Sequence, residues 1–287
     1  MKSFDYFEPH SLEEAVGLQQ QGQGRGCWLA GGTDLLVQMK EHVRQPGLVI
    51  NLKKIRGLDD FHFDSVTGLR LGALVTAREV ETSPLAHQHY AGLARACTDF
   101  ASIQVRNRAT VVGNICRASP SADTLPPLLA DDASLCIHGP RGTRTVALEG
   151  FCTAPGRTIL APDEIVTHVL VPAPAPGTAK VYLKHGRREQ MELATVGVAV
   201  SLTMSRGRCS RLGIVLGAVA PTPLRVPTAE ALLLDEEPTR DRVHAAAAAA
   251  AQACQPISDV RASAGYRRQM VEVLTRRALV QALEVLR

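Results

Sequence analysis

The chain has 287 residues, 45% of them hydrophobic, which is enough for a sizeable buried core and suggests about two domains. Its 32 Lys and Arg against 28 Asp and Glu leave a formal charge of only +4, spread along the sequence, and aromatic residues are scarce at 4%. A nucleic-acid-binding protein would need a concentrated basic stripe and rings for stacking bases, so that class is set aside.

The first nine residues, Met1 to Pro9, carry acids early and no apolar segment, so no secretory signal is expected. No run approaches 18 apolar residues, so no membrane span is expected and a cytoplasmic location is the default. The seven cysteines, Cys27, Cys97, Cys116, Cys136, Cys152, Cys209 and Cys254, are widely spaced. Such spacing suits reduced, mostly buried thiols and offers no Cys-x-x-Cys seed for zinc or an iron–sulfur cluster. The nine histidines are scattered too, and no metal site is expected from this chain alone.

Ser11 and Glu14 form a capping box for a helix that ends near Gly22. Cys27 to Ala30 is a short apolar strand running into Gly31 and Gly32. Thr33 and Asp34 then open a second helix through Met39, and Leu48 to Leu52 is the next strand. Residues 1 to about 55 thus form a small α/β unit. A second unit spans about 56–173: a strand at Leu69 to Ala73, a helix capped by Thr76, and a helix over 84–98. Val105 to Cys116 reads as irregular and Asp123 to Leu129 as helical. Strands are expected near 133–137 and 143–148 and at Ile165 to Val171. Pro172 to Gly177 is the clearest linker signal. Beyond it, three strands (Thr178 to Leu183, Thr195 to Met204, Cys209 to Leu216) precede helices at about 226–234, 239–253 and 261–286. The predicted fold class is therefore α+β, with domains at 1–175 and 178–287.

Two segments carry the chemistry. In Leu29, Ala30, Gly31, Gly32, Thr33, Asp34, Leu35 and Leu36, a strand stops at two glycines and a helix begins at once. Glycine lets backbone approach a ligand, and the free N–H groups at a helix start suit a phosphate or pyrophosphate. A tight strand–helix turn capped by Thr33 or Asp34 is the plainer alternative. In the second segment, Ala109 to Asp123, Gly113 again permits close approach. Thr110, Asn114, Ser119, Ser121 and Asp123 add short polar groups able to bind phosphate or ribityl oxygens. Asp123 could equally cap the helix at 124–130. Two motifs are decoys. Gly22, Gly24 and Gly26 follow a helix and precede a strand, the reverse of a dinucleotide fingerprint, and no Lys-Ser/Thr pair follows Gly32 to make a triphosphate loop.

Taken together, Ala30-Gly31-Gly32-Thr33-Asp34 and Thr110-Val111-Val112-Gly113-Asn114-Ile115-Cys116 closely resemble the two FAD-binding stretches of the flavin subunit of molybdenum hydroxylases, the group that includes xanthine dehydrogenases and carbon monoxide dehydrogenase. The resemblance covers nearly the whole chain. It continues through Leu160 to Val166, Tyr182 to Arg188, Ser258 to Ser263, Tyr266-Arg267 and Arg276 to Leu279.

The resemblance implies a two-subdomain FAD-binding fold of the PCMH (vanillyl-alcohol-oxidase-like) type, with subdomains at about 1–55 and 56–173, followed by a C-terminal domain of a three-stranded sheet plus helices. It implies that Leu29 to Leu36 wrap the pyrophosphate of FAD, and that Thr110, Val111, Val112, Gly113, Asn114 and Asp123 bind the rest of the cofactor chain. Phe100 and Val166 match an aromatic and an apolar residue beside the flavin, and Lys184 a lysine that the C-terminal domain brings to it. Plain packing for Phe100 and a solvated strand lysine for Lys184 are the alternatives.

The resemblance further implies a large partner subunit with a molybdenum–pterin cofactor and a small one with two 2Fe–2S clusters. NAD+ or another acceptor would take the electrons, and the complex would be a dimer of heterotrimers acting on xanthine, another purine or an N-heterocycle. Two departures stand out. Val112 replaces the first of two glycines found in many members, and Pro155 stands where animal xanthine dehydrogenases have a tyrosine associated with nicotinamide, so the resemblance implies FAD without singling out NAD+ as the acceptor. The rival classes are a free-standing flavin oxidase, for which the residues after the linker are few, and a non-catalytic nucleotide-binding assembly subunit. Arg261, Arg267, Arg268, Arg276 and Arg277 are placed on the last helix as a solvated basic face, with partner docking as the alternative.

Overall fold

The computed structural model describes residues 1–189 and 191–287. The chain begins with β1 (Asp5–Phe7), α1 (Leu12–Gln21), β2 (Gly26–Leu29), α2 (Leu35–Lys40) and β3 (Leu48–Asn51). The three strands form a parallel sheet in the order β1-β3-β2, with Leu29 opposite Asn51 at the carboxyl end. Ser11 caps α1 by accepting from the Glu14 N–H, and the Glu14 carboxylate reaches back to the His10 N–H. Ligands of open α/β sheets gather beyond the carboxyl ends of strands, which here is where Gly31 and Gly32 lie.

The second unit contains β4 (Phe61–Asp64), β5 (Gly68–Gly72), α3 (Ala77–Thr82), α4 (Pro84–His89), α5 (Ala91–Asp99), α6 (Ile103–Arg106), α7 (Val111–Arg117) and α8 (Leu125–Ala130). It is completed by β6 (Ser134–Gly139), β7 (Gly142–Ala147), β8 (Cys152–Ala154), β9 (Arg157–Thr158) and β10 (Ile165–Val171). Five of these strands form an antiparallel sheet, β4-β5-β10-β6-β7, and β8 pairs with β9 in a separate two-stranded sheet. Two expectations are corrected here. The helix expected over 84–98 is broken at Tyr90, whose backbone leaves helical geometry while its phenol donates to the Val171 and Pro172 carbonyls. The supposedly irregular 105–116 contains α6 and α7. Val111, Val112 and Gly113 are poor helix formers, and what makes α7 a helix is the Thr110 cap and burial of Val111, Val112 and Ile115.

After the linker come β11 (Thr178–His185), β12 (Val196–Ser205), β13 (Arg208–Gly217), β14 (Leu224–Arg225), α9 (Pro227–Glu230), α10 (Arg240–Ala253) and α11 (Ala264–Val285). The sheet has four strands, β11-β12-β13-β14, one more than expected, because two residues before α9 pair with Val215 and Leu216. It is buried on both faces. Period-two alternation sends Ala179 and Val181 toward α10 and α11, and sends Tyr182 into the core shared with the first two units. The alanine run of α10 buries Ala246, Ala250 and Ala251 in that C-terminal core.

The terminal arginines are not a uniform solvated face. Arg261 precedes α11 and pairs with Asp259, while Arg268, Arg276 and Arg277 are exposed. Arg267 is 3% exposed and donates to the Thr195 and Ala218 carbonyls and to Asp259. Among the described residues, no helix is long and apolar enough to cross a membrane, and no group of three His, Cys, Asp or Glu side chains could hold a metal ion.

Candidate functional site

β2 ends at Leu29, and the chain turns through Ala30, Gly31 and Gly32 into α2. Gly31 is required by a close approach: a Cβ there would overlap the Arg108 carbonyl oxygen and lie 3.0 Å from the Ala109 Cα. Gly32 has φ +76°, a left-handed conformation that disfavours side chains. Thr33 is half-buried, Asp34 exposed, Leu35 half-buried and Leu36 exposed. Asp34 is the N-cap of α2 but its side chain makes no capping bond, nor does Thr33 cap the helix. Among the described residues, the N–H groups of Gly31, Gly32, Thr33, Asp34 and Leu35 have no protein acceptor. Consecutive free N–H groups on a glycine turn form a concavity suited to an anion.

The second segment comes up against the first. Gly31 lies on the backbone of Arg108 and Ala109, and Arg117, at the end of α7, pairs with Asp34 at 2.8 Å. Thr110 forms an isolated antiparallel bridge with Thr76, in which Ala77 donates to the Ala109 carbonyl (2.8 Å) and Val111 to the Val75 carbonyl (3.1 Å). The Thr110 Oγ1 accepts from the Gly113 N–H at 3.0 Å, and a Cβ on Gly113 would crowd that same oxygen at 2.7 Å. Val111 and Val112 point into the core, the latter 4% exposed, so Val112 does not fill the outer side, where Gly113 is exposed. Asn114 accepts from the Thr124 hydroxyl at 2.7 Å, tying α7 to the start of α8.

Asp123 does not cap α8; Thr124 occupies that position without a side-chain capping bond. The Asp123 carboxylate is instead buried and meets β11. Its Oδ1 accepts from the Tyr182 hydroxyl at 2.8 Å and its Oδ2 from the Lys184 ammonium at 2.9 Å. Lys184 is therefore not a solvated strand lysine. Its side chain is 9% exposed, and Nζ also donates to the Asp99 carbonyl at 2.9 Å. That carbonyl closes α5, where the negative end of the helix dipole favours a cation. Burial raises the pKa of Asp123, partly offset by Lys184 and the Tyr182 hydroxyl, and burial pushes the Tyr182 phenol far up.

Phe100, next to Asp99, is half-buried against the core. Its loop is pinned by Arg106, which donates to the Phe100 and Ala101 carbonyls and makes a two-pronged contact with Glu81. Val166 stands apart from these polar contacts. It is 3% exposed, opposite Ile137 on β6, within the main core.

Several site residues escaped the sequence reading. Tyr182 had a usable signal, since it shares a strand face with Lys184 two residues on. Arg117 and Lys53 did not, because their placement depends on how distant segments meet. Lys53 follows β3 and donates to Asn51 Oδ1 at 3.1 Å; partial burial and the charge of Arg108 lower its pKa. The Gly31–Gly32 turn is therefore flanked by Arg117 and, beside Arg108, by Lys53, and these cations together with its free N–H groups fit a pyrophosphate.

Comparison with known proteins now decides the family. Residues 2–174 match the profile described as the FAD binding domain in molybdopterin dehydrogenase, and residues 181–282 match the CO dehydrogenase flavoprotein C-terminal domain. The chain belongs to the FAD-binding medium subunits of the molybdenum hydroxylases. It is 31% identical to the xanthine dehydrogenase FAD-binding subunit of Escherichia coli, over 98% of this chain and 97% of that one. It is 35% identical to the carbon monoxide dehydrogenase medium chain of Hydrogenophaga pseudoflava, over 96% of each. Among solved structures, carbon monoxide dehydrogenase from Hydrogenophaga pseudoflava superposes with a TM-score of 0.94 at 36% identity, over 99% of this chain and 98% of that one. The enzyme from Oligotropha carboxidovorans gives 0.93 at 30% identity, over 98% of each chain. As a family member, the chain is the FAD-carrying part of an oxidoreductase.

Proposed function

We propose that this subunit takes electrons from two 2Fe–2S clusters on a small partner subunit and passes them through FAD to NAD+ or another acceptor. A large partner subunit carries the molybdenum–pterin cofactor and hydroxylates the substrate. The observation that carries this is the convergence of the Gly31 and Gly113 segments, with five free N–H groups on the first. Leu29 to Leu36 would hold the pyrophosphate, Thr110 to Asn114 and Asp123 the rest of the chain, and Phe100, Val166 and Lys184 the flavin end. When bound, FAD supplies the chemistry that joins one-electron delivery to two-electron release. The protein's part is to bind, orient and tune.

On this reading residues 1–175 are the FAD-binding domain, with subdomains at about 1–55 and 56–173, and residues 178–287 the C-terminal domain. The assembly is a cytoplasmic dimer of heterotrimers, and its substrate is xanthine, another purine or an N-heterocycle. A xanthine dehydrogenase subunit and a nicotinate dehydrogenase FAD-subunit are among the relatives, at 31% and 28% identity. The test is to purify the protein with its natural partners, identify the co-purifying chains by mass spectrometry, and measure bound flavin. Xanthine, nicotinate and carbon monoxide are then compared as substrates, with NAD+ as acceptor. A colourless protein that takes up no FAD on reconstitution would overturn the proposal.

A further inference from the structure

β11 presents Tyr182 and Lys184 on one face, and both reach the same carboxylate. Tyr182 is 2% exposed; it pairs with Ala199 on β12, and its ring crosses diagonally over Gly197, the partner of Lys184, where an added Cβ would come within 2.9 Å of the phenol oxygen. Both oxygens of Asp123 are satisfied from across the interface, by Tyr182 on Oδ1 and Lys184 on Oδ2. An ammonium has three N–H donors. Two of those on Lys184 go to Asp123 and the Asp99 carbonyl, which leaves one for a ligand. Without the Tyr182 hydroxyl, Oδ1 would be a buried carboxylate oxygen with no partner, a costly arrangement that a proton or a rotation of the carboxylate would relieve.

We propose that Tyr182 is a positioning residue: its phenol keeps Asp123 ionised and oriented, and through Asp123 it sets where the Lys184 charge stands relative to the flavin. This rests on the assignment of FAD to the site. The charged and titratable groups facing Asp123 are Lys184 and Tyr182 on β11 and Asp99 and Cys97 on α5, with Arg106 and Glu81 beyond Cys97. The Asp99 carboxylate is itself paired with Arg95 at 2.9 Å. Removing the phenol removes a hydrogen bond to the ionised form, so Asp123 takes up its proton at higher pH. Below that pH the Lys184 charge is uncompensated and the reduced flavin is favoured.

The experiment measures bound FAD and the flavin reduction potential across pH in the complex purified with its partners, for wild type, Tyr182→Phe and Asp123→Asn. Tyr182→Phe is expected to keep its FAD and to show the break in potential against pH at a higher pH than wild type. Asp123→Asn, which keeps the shape of the carboxylate, is expected to lose the break that Asp123 contributes and to show a less negative potential at neutral pH. Should Tyr182→Phe fail to fold, Gly197→Ala, whose methyl group presses on the phenol oxygen, takes its place and is expected to move the break in the same direction. Wild-type curves in both variants at full FAD content would overturn the inference while leaving the FAD assignment intact. A wild-type protein that holds no flavin would instead overturn the assignment on which it rests.

Discussion

The Lys180 ammonium stands 4.1 Å from the centroid of the Tyr90 ring, so that the first strand after the linker is pinned to the helix break between α4 and α5. The same ammonium pairs with Asp131 at 2.9 Å, with side chains 7% and 5% exposed. Removing one partner of a buried pair strands the other charge, and the second oxygen of Asp131 already lacks a partner. Lys180→Met should therefore lower unfolding stability by about 3–5 kcal/mol in denaturant titration. Adding Asp131→Leu should restore much of it. A single variant as stable as wild type would show that the pair does not hold the interface.

Gly31→Ala should distort the turn, because its methyl group meets the Arg108 backbone rather than a yielding side chain. Gly32→Asp adds a side chain at φ +76° and a negative charge beside the free N–H groups. Both variants should retain less FAD than wild type, read as the flavin-to-protein absorbance ratio after gel filtration. Undiminished flavin in Gly32→Asp would mean that the pyrophosphate lies elsewhere.

Asp259 gives a pH-dependent prediction. The Arg261 N–H, the Arg267 guanidinium and the Ala262 N–H hold its carboxyl below its ordinary 3.8, at about 2. A depressed folded-state pKa contributes stability that is present above 3.8 and is lost as pH falls toward about 2. Asp259→Asn should thus be less stable than wild type at neutral pH, and the gap should close over that acid window. Parallel acid-unfolding curves would refute it.

The seven cysteines are all free thiols. Burial pushes Cys116 up to about 12 and Cys152 and Cys209 to about 11, which keeps the reactive thiolate scarce. Iodoacetamide at pH 8 should label all seven only in denaturant. The buried Cys97, Cys209 and Cys254 should stay unmodified in the folded protein, as peptide mass mapping would show.

Much of this protein is local. The helix caps at Ser11 and Thr76, the linker at Pro172 to Gly177, the period-two strands and the two glycine-bearing segments all depend on neighbours within a few residues, so they can be read from sequence. Period and capping failed where burial outvoted propensity. Val111, Val112 and Gly113 form a helix because the core takes the valines and Thr110 closes the first turn. Tyr90 breaks a helix because its phenol finds carbonyls 81 and 82 residues away.

Sequence by itself determined which residue types could cradle an anion and where the chain would turn to expose its N–H groups. Only the tertiary structure decided that Gly31 lies on the Arg108 backbone, that Asp123 gives its carboxylate to Tyr182 and Lys184 instead of capping α8, and that Arg267 is buried while Arg268 is not. The reason is physical. A cap or a turn is satisfied by atoms close in the chain, whereas the partner of a buried charge is whichever group the packed elements bring within 3 Å, and no spacing in the sequence records that meeting.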